Sequence, residues 1–568
     1  MKKADKDHPD HCQHSSHRSD NGLKGLVEKE WRRWGWLFPV VGFFALLWFL
    51  IRVLPRPSRV RYPCQKVAGP LAFSFLVWIG GLVASLFAAR RVRHFFRKGR
   101  YAMVVASLLV AVGGAWLAIG SLSAPRSVAA DIPESKMGFE PTLEANKPIG
   151  EGQGIHPGRV VWDYDPETTS WDGDKNSGHW WDEDNISQEA VSAMLARSIR
   201  AVTGEESVKA SWEALFRYND AQNGRGARGY AAGEKIAIKI NLNTSGSHKW
   251  NHGSANSPQM ILAMLRQLIN AVGVAPGDIT VLDASRVIGD PIWKLCHGEF
   301  PEVRFVDRKG GKGRIKARPD RNAALHHADP SVEDSGKTFF PASMVEADYL
   351  INLALLKGHD LAGVTLCAKN HFGSVWRESD KDAWNDGWSP GNMHETISVH
   401  EWRGGKFPPR EMGTYNPLVE LMGHEQLGGK TVLHLIEGLY GAPHQGAVPA
   451  KWESAPFKGG WTSSLFVSQD PVAIESVALD FLRTEPSLRH KVRGNVDNYL
   501  HEAALAGDPP SGVDYDPEGD GTTLGSLGVH EYWNNPQDRQ YSRNLGRDRG
   551  IELIRTGKST HQSARKGE

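Results

Sequence analysis

Cysteine is scarce in this chain of 568 residues: Cys12, Cys64, Cys296 and Cys367 are the whole complement, and no two are closely spaced. An iron–sulfur cluster takes about four thiolates in tight groups, so no intrinsic cluster of this kind is expected. Only Cys296 and Cys367 fall in the part that reads as globular, where a disulfide and two buried thiols are both open. A charge excess is missing as well. The formal net charge is +2, and a nucleic-acid partner, which calls for a basic face, is not expected. There is no Gly-x-Ser-x-Gly elbow, no phosphate loop of the Walker type and no dinucleotide fingerprint. His248, His252, His424, His434 and His444 are scattered without metal-motif spacing, so no metal ligands are assigned.

Long apolar runs are present. Trp36–Leu54, Ala68–Ala89 and Ala102–Ala124 each approach the ~20 residues that span hydrocarbon. Residues 1–34 read as a disordered cytoplasmic tail with His8, His11, His14 and His17, residues 35–124 as a three-helix membrane anchor, and residues 125–153 as a linker. Arg90, Arg91, Arg93, Arg97, Lys98 and Arg100 make the second connection the cytoplasmic one. Arg52, Arg56, Arg59, Arg61 and Lys66 in the first connection run against that assignment. The expectation is an integral protein of the inner (cytoplasmic) membrane. Its partner is the lipid bilayer, through three helices, and its main domain is extracytoplasmic.

Beyond the linker the pattern alternates. Strands are expected at Arg159–Tyr164, Lys235–Asn241, Ile279–Leu282, Val303–Asp307, Tyr349–Leu356, Thr431–Ile436 and Ser464–Ser468. Helices are expected at Gln188–Val202, Val208–Tyr218, Pro258–Val272 and Pro471–Leu482, the last with Asp470 as N-cap and Pro471 at the first position. This predicts an α/β domain over residues 154–500, with a mostly parallel sheet covered by helices. A loop-rich extension over 501–568 follows, with a short helix ahead of Gly507. Loop tryptophans such as Trp162, Trp171, Trp180 and Trp181 read as apolar lids over polar loops.

Chemistry concentrates in one stretch, Ala347 to Gly373. A buried strand from Tyr349 to Leu356 delivers Lys357, His359, Lys369 and Asn370 within a few positions. Open α/β sheets place ligand sites at the carboxyl ends of their strands. Lys239, Asn241 and Asn243 share a period of two and so face one side. Asp283, Ser285 and Arg286 end a third strand, where a carboxylate can position a lysine, bind a metal or cap a turn. Two lysines desolvated together depress each other's pKa, which makes either an anion cradle or a lysine base. The candidate catalytic residues are Lys357, His359 and Asp283. The candidate substrate-binding residues are Lys239, Asn241, Asn352, Lys369 and Asn370. Two acidic loops, Asp172–Asp184 and Asp514–Gly521, read as solvated turns, since the second has Gly525 where a calcium loop needs Glu.

Asn352, Lys357, His359 and the run Lys369-Asn370-x-Phe372-Gly373 resemble the core of the family known as domain of unknown function 362. Ile238–Asn243, Ile279–Ser285 and the Asp470-Pro471-Val472-Ala473 run within Ser468–Ile474 fit the same resemblance, which covers Val160 to Leu482. The resemblance implies a fold and a site but no settled activity or cofactor. Some members of that family carry ferredoxin-type cysteine clusters, from which this chain departs. The leading expectation is an enzyme acting on a small anionic ligand, a carboxylate or phosphate, through a Lys/His/Asn site. The alternative is a non-catalytic ligand-binding module coupled to the membrane spans. An electron-transfer partner comes third, disfavoured by the cysteine count.

Overall fold

The computed structural model of the protein describes residues 139–558 apart from 243–245, 251, 333, 381–385 and 401–407, together with 94–120 and isolated positions between 43 and 92. The chain divides into two compact units, Met1–Ile132 and Pro133–Glu568. In the first, a helix runs over Tyr101–Gly120, and its side chains are described only in part. Among the described residues no helix is long and apolar enough to cross a membrane. The tail of residues 1–34, most of the first two apolar runs, and Asn243 lie outside the described residues.

The second unit is built on one sheet of ten strands. In chain order these are β1 (Arg159–Tyr164), β2 (Ile236–Lys239), β3 (Ile279–Asp283), β4 (Arg304–Asp307), β5 (Ile315–Lys316), β6 (Tyr349–His359), β7 (Gly363–Thr365), β8 (Thr431–Ala442), β9 (Ser464–Ser468) and β10 (Glu552–Gly557). Across the sheet the order is β10, β1, β9, β8, β6, β2, β3, β4, β5, with β7 folded back on β6. β9 is antiparallel to both its neighbours, and β7 is antiparallel to β6. All other pairings are parallel. The mostly parallel α/β sheet is therefore observed. The C-terminal residues, expected to be loop-rich, also supply an edge strand, β10 beside β1.

Parallel strands buried on both faces need cover on both. One face packs against α1 (Gln188–Thr203), α2 (Val208–Gln222) and α3 (Pro258–Arg266) through residues such as Leu195, Trp212 and Leu265. The other packs against α5 (Pro471–Thr484) and α6 (Asn498–Ala504) through Phe481, Leu482 and Leu500. The stretch read as one helix over Pro258–Val272 is α-helical to Arg266 and then widens into a π-turn over Gln267–Val272, ending at Gly273. Trp171, Trp180 and Trp181 are buried in loops, with Trp171 stacked on Trp461 at 5.4 Å and Trp181 on Trp250 at 4.5 Å between ring centres, whereas Trp162 is a residue of β1 packed on Phe481 in the core. The carboxylates of the two acidic loops turn back on their own backbone. Asp172 accepts from Asp174 N–H, and Asp516 accepts from the N–H groups of Gly519, Asp520 and Gly521.

Asp470 does more than start α5. Its Oδ1 accepts from the N–H groups of Val472 and Ala473, and its Oδ2 accepts from Gln153 and Val529. One buried carboxylate therefore ties the linker, the helix and the C-terminal segment together. Asp470→Asn keeps an acceptor for the helix but turns an amide donor toward two N–H groups. We expect it to lower unfolding stability by about 2 kcal/mol in urea titrations.

Candidate functional site

Strand order reverses beside β2. The chain leaves β2 for β3 on one side, and later returns to place β6 on the other side before leaving for β8. Such a switch point opens a crevice outside the carboxyl ends of the two strands. Lys239 ends β2 and pairs in register with Asn352 of β6. β6 runs on past its apolar stretch through Lys357 to His359 and turns tightly into β7. Gly363 makes that turn at φ 78°, where a Cβ would lie 2.5 Å from Val496. The chain then enters α4 (Cys367–Asn370), which carries Lys369 and Asn370 back over the crevice. Glu475 of α5 fixes this short helix by accepting the N–H of Ala368 and the hydroxyl of Tyr499.

Asn370 is the hub. Its Oδ1 accepts from Lys239 Nζ at 3.0 Å and Asn241 Nδ2 at 3.1 Å. Its Nδ2 donates to Asn352 Oδ1 at 2.9 Å and to the carbonyls of Lys239 and Leu353. Lys239 is fully buried and spends its three protons on the Ile240 carbonyl, Asn370 and Asp283 Oδ2, the last at 3.3 Å. Asp283 also accepts from Leu242 N–H and from the N–H and hydroxyl of Ser285. Lys357 is equally buried, and its hydrogen bond goes to Asn241 Oδ1 at 2.7 Å. Six of the eight predicted residues, Lys239, Asn241, Asp283, Asn352, Lys357 and Asn370, are thus gathered into one continuous network, while His359 and Lys369 stand beside it with other partners.

In front of the network lies a cavity of about 520 Å³. Asn241, Asp283, His359, Lys369 and Asn370 line it. Lys239, Asn352 and Lys357 stand behind that wall, each hydrogen-bonded to a residue in it. Three of the eight predicted residues therefore meet the cavity through a neighbour. Sequence reading missed Trp388, His394, Glu395 and Gln445, which line the cavity too. Trp388 and Gln445 come from irregular chain, and His394 and Glu395 from a single helical turn, Met393–Thr396, too short to leave a periodic signal. Arg286, noted only as the end of a strand, lines the cavity as well.

Lys369 is buried beside the cavity. Its Nζ sits 3.2 Å from His394 Nε2 and 4.5 Å from the centre of the Phe372 ring. Burial, then the charges of Lys357 and Arg286, pull its pKa down to about 7. Burial likewise pulls Lys357 down to about 7, against the opposing effect of Asp283. For Lys239 burial again lowers the pKa while Asp283 opposes it. His359 accepts the N–H groups of Leu361 and Ala362 on Nδ1. The proton of its neutral ring therefore sits on Nε2. Burial, reinforced by Lys369 and His394, holds that ring well below its usual range, hence neutral. Cys296 and Cys367 are free, buried thiols, and burial pushes the pKa of both upward.

Residues 236–480 match the family described as Domain of unknown function (DUF362), and the chain resembles that family across this segment. No curated protein and no solved structure matches the chain.

Proposed function

We propose that the cavity is the active site of an enzyme acting on a small anion, a carboxylate or phosphate, and that the apolar N-terminal runs anchor it in a membrane with this domain outside the cytoplasm. The observation that carries the first part is the state of Lys369. It is a buried cation beside a cavity, and its near neighbours among the described residues are an imidazole and an aromatic ring. An anion entering the cavity supplies the missing countercharge. Catalysis, rather than binding alone, is supported by the 3.2 Å contact between Lys369 and His394. An amine near pH 7 within reach of an imidazole is a proton-transfer pair, whereas a simple receptor needs only donors. His359 adds an Nε2–H donor from the same wall, and Asn370 and Asn241 orient the bound group.

The test is calorimetric titration with a simple carboxylate, which unlike phosphate does not itself titrate near neutrality. The bound anion favours the ammonium form of Lys369, so affinity is greatest below pH 7. Above that pH the amine loses its proton, and affinity falls by about tenfold per pH unit. Lys369→Met removes the slope. A pH-independent affinity in the unaltered protein would refute the role of this lysine.

The topology part rests on the cationic connection Arg90–Arg100. A reporter fused after Glu568 and active only outside the cytoplasm is expected to be active. Activity of a cytoplasmic reporter in its place reverses the orientation.

A further inference from the structure

Away from the cavity, α6 and the short strand Val529–His530 bring Asp497, His501 and His530 together. All three are buried, and one donor atom from each lies within 4.8 Å of the others. Asp497 and His501 are one helical turn apart, with Asp497 Oδ2 3.1 Å from His501 Nε2. Thr142 Oγ1 lies 3.4 Å from the same oxygen and 3.3 Å from the same nitrogen. The Tyr532 hydroxyl donates to Asp497 Oδ2.

The tautomer of His530 follows from its neighbour. Ser476 has one hydroxyl proton and gives it to the Val472 carbonyl at 2.8 Å. Its oxygen, 2.8 Å from His530 Nδ1, must therefore accept from Nδ1–H. That leaves the lone pair on Nε2, which is buried and has no hydrogen-bond partner among the described residues. Asp497 Oδ1 is in the same condition. Two bare acceptors, a lone-pair nitrogen and a carboxylate oxygen, thus share a buried cluster with a second imidazole. Buried acceptors are almost always matched by a donor, an ordered water or an ion, and two lone-pair acceptors beside a second imidazole make a ligand set.

We propose that Asp497, His501 and His530 bind one divalent first-row transition-metal ion, zinc by ligand type. Two imidazoles and a carboxylate suit zinc, and the nitrogen–oxygen separation of 3.1 Å is that of two ligands along one edge of a coordination tetrahedron. Ser476 holding Nδ1–H is the outer hydrogen bond that fixes a ligating imidazole. The role is structural. Asp497 and His501 belong to α6 and its N-cap and His530 to the C-terminal strand, so the ion clamps these two segments, and Ser476 of α5 joins them through His530. All three ligands lie outside the matched segment, 236–480.

The four tail histidines, His8, His11, His14 and His17, would take up zinc themselves, so the test uses the full chain with those four changed to alanine. This protein is expected to retain about one equivalent of zinc after dialysis, and zinc is expected to raise its thermal midpoint. X-ray absorption at the zinc edge should read two imidazole nitrogens, a result that needs no further variant. His530→Gln and His501→Gln should each lose the bound zinc and the thermal shift, with circular dichroism confirming the fold. Absence of stoichiometric zinc and cobalt uptake by the parent overturns the proposal and leaves a buried water as the bridge. Zinc ligated without imidazole, or retained undiminished in both folded variants, overturns it equally.

Discussion

Lys357→Met is expected to stabilise the fold while abolishing turnover. Lys357 is wholly buried, its ammonium pulled from 10.5 down to about 7, and its hydrogen bond goes to the Asn241 amide. The sign runs against the usual intuition for a buried polar residue. The folded protein binds this proton more weakly than the unfolded chain does. The resulting cost is fully present below pH 7 and is relieved only as pH rises from about 7 toward 10.5. Its size is on the order of 4 kcal/mol at neutral pH. Methionine keeps the volume and removes the charge. It leaves Asn241 Oδ1 without a donor, which returns about 1 kcal/mol of the gain. Urea unfolding at pH 7 should show a net gain, and the rise in stability between pH 7 and 10 should flatten. Function should suffer for two reasons: Asn241 loses the bond that orients it, and Lys369 loses the neighbouring charge that helps lower its pKa. The pH midpoint of anion binding should therefore move upward as catalysis disappears. A large loss of stability would mean that Lys357 serves the core and not the ligand.

Such a residue is legible in sequence because it violates the pattern around it. Tyr349–Leu356 reads as a strand from its apolar run, and a lysine, a histidine and two amides at its end are out of place unless they share a site. The same reasoning found Lys239 and Asp283. The structure joins them through Asn370, whose hub role depends on α4 swinging back over the crevice. Spacing along the chain carries no information about that swing. It also gave no means of telling the cavity wall from the layer behind it, so Lys239, Asn352 and Lys357 read as contact residues although each acts through a neighbour. His394 and Trp388 were invisible for a different reason. Trp388 lies in irregular chain and His394 in the single helical turn Met393–Thr396, too short for any periodicity to mark a side chain as inward. β10 escaped notice because six residues at a sheet edge, of which only Leu553 is buried, look like loop. The Asp497, His501 and His530 cluster is assembled from two segments about thirty residues apart, with only an i, i+4 pair as a local trace.

The Lys239–Asp283 pair gives the sharpest measure of how the site is held together. Asp283→Ala should destabilise by about 3–5 kcal/mol, because it leaves a fully buried ammonium facing neutral groups and strips acceptors from Leu242 and Ser285. Lys239→Met alone should cost less, since Asp283 keeps its backbone and hydroxyl donors. The double variant removes both charges, and it should recover at least about 2 kcal/mol relative to the sum of the single changes. Gly373 provides an independent way to open the same pair. A Cβ there would lie 2.9 Å from Lys239 Nζ and 3.0 Å from Asp283 Oδ1, so Gly373→Ala forces a methyl group against both charges. It should reproduce the loss seen in Asp283→Ala, and the loss should shrink in the double-variant background, where neither charged group remains. Urea titrations of the unaltered protein and these five variants at pH 7 decide the matter. Strict additivity of the two single changes, or a Gly373→Ala penalty of the same size in both backgrounds, would show that the ion pair is not what holds the floor of the cavity.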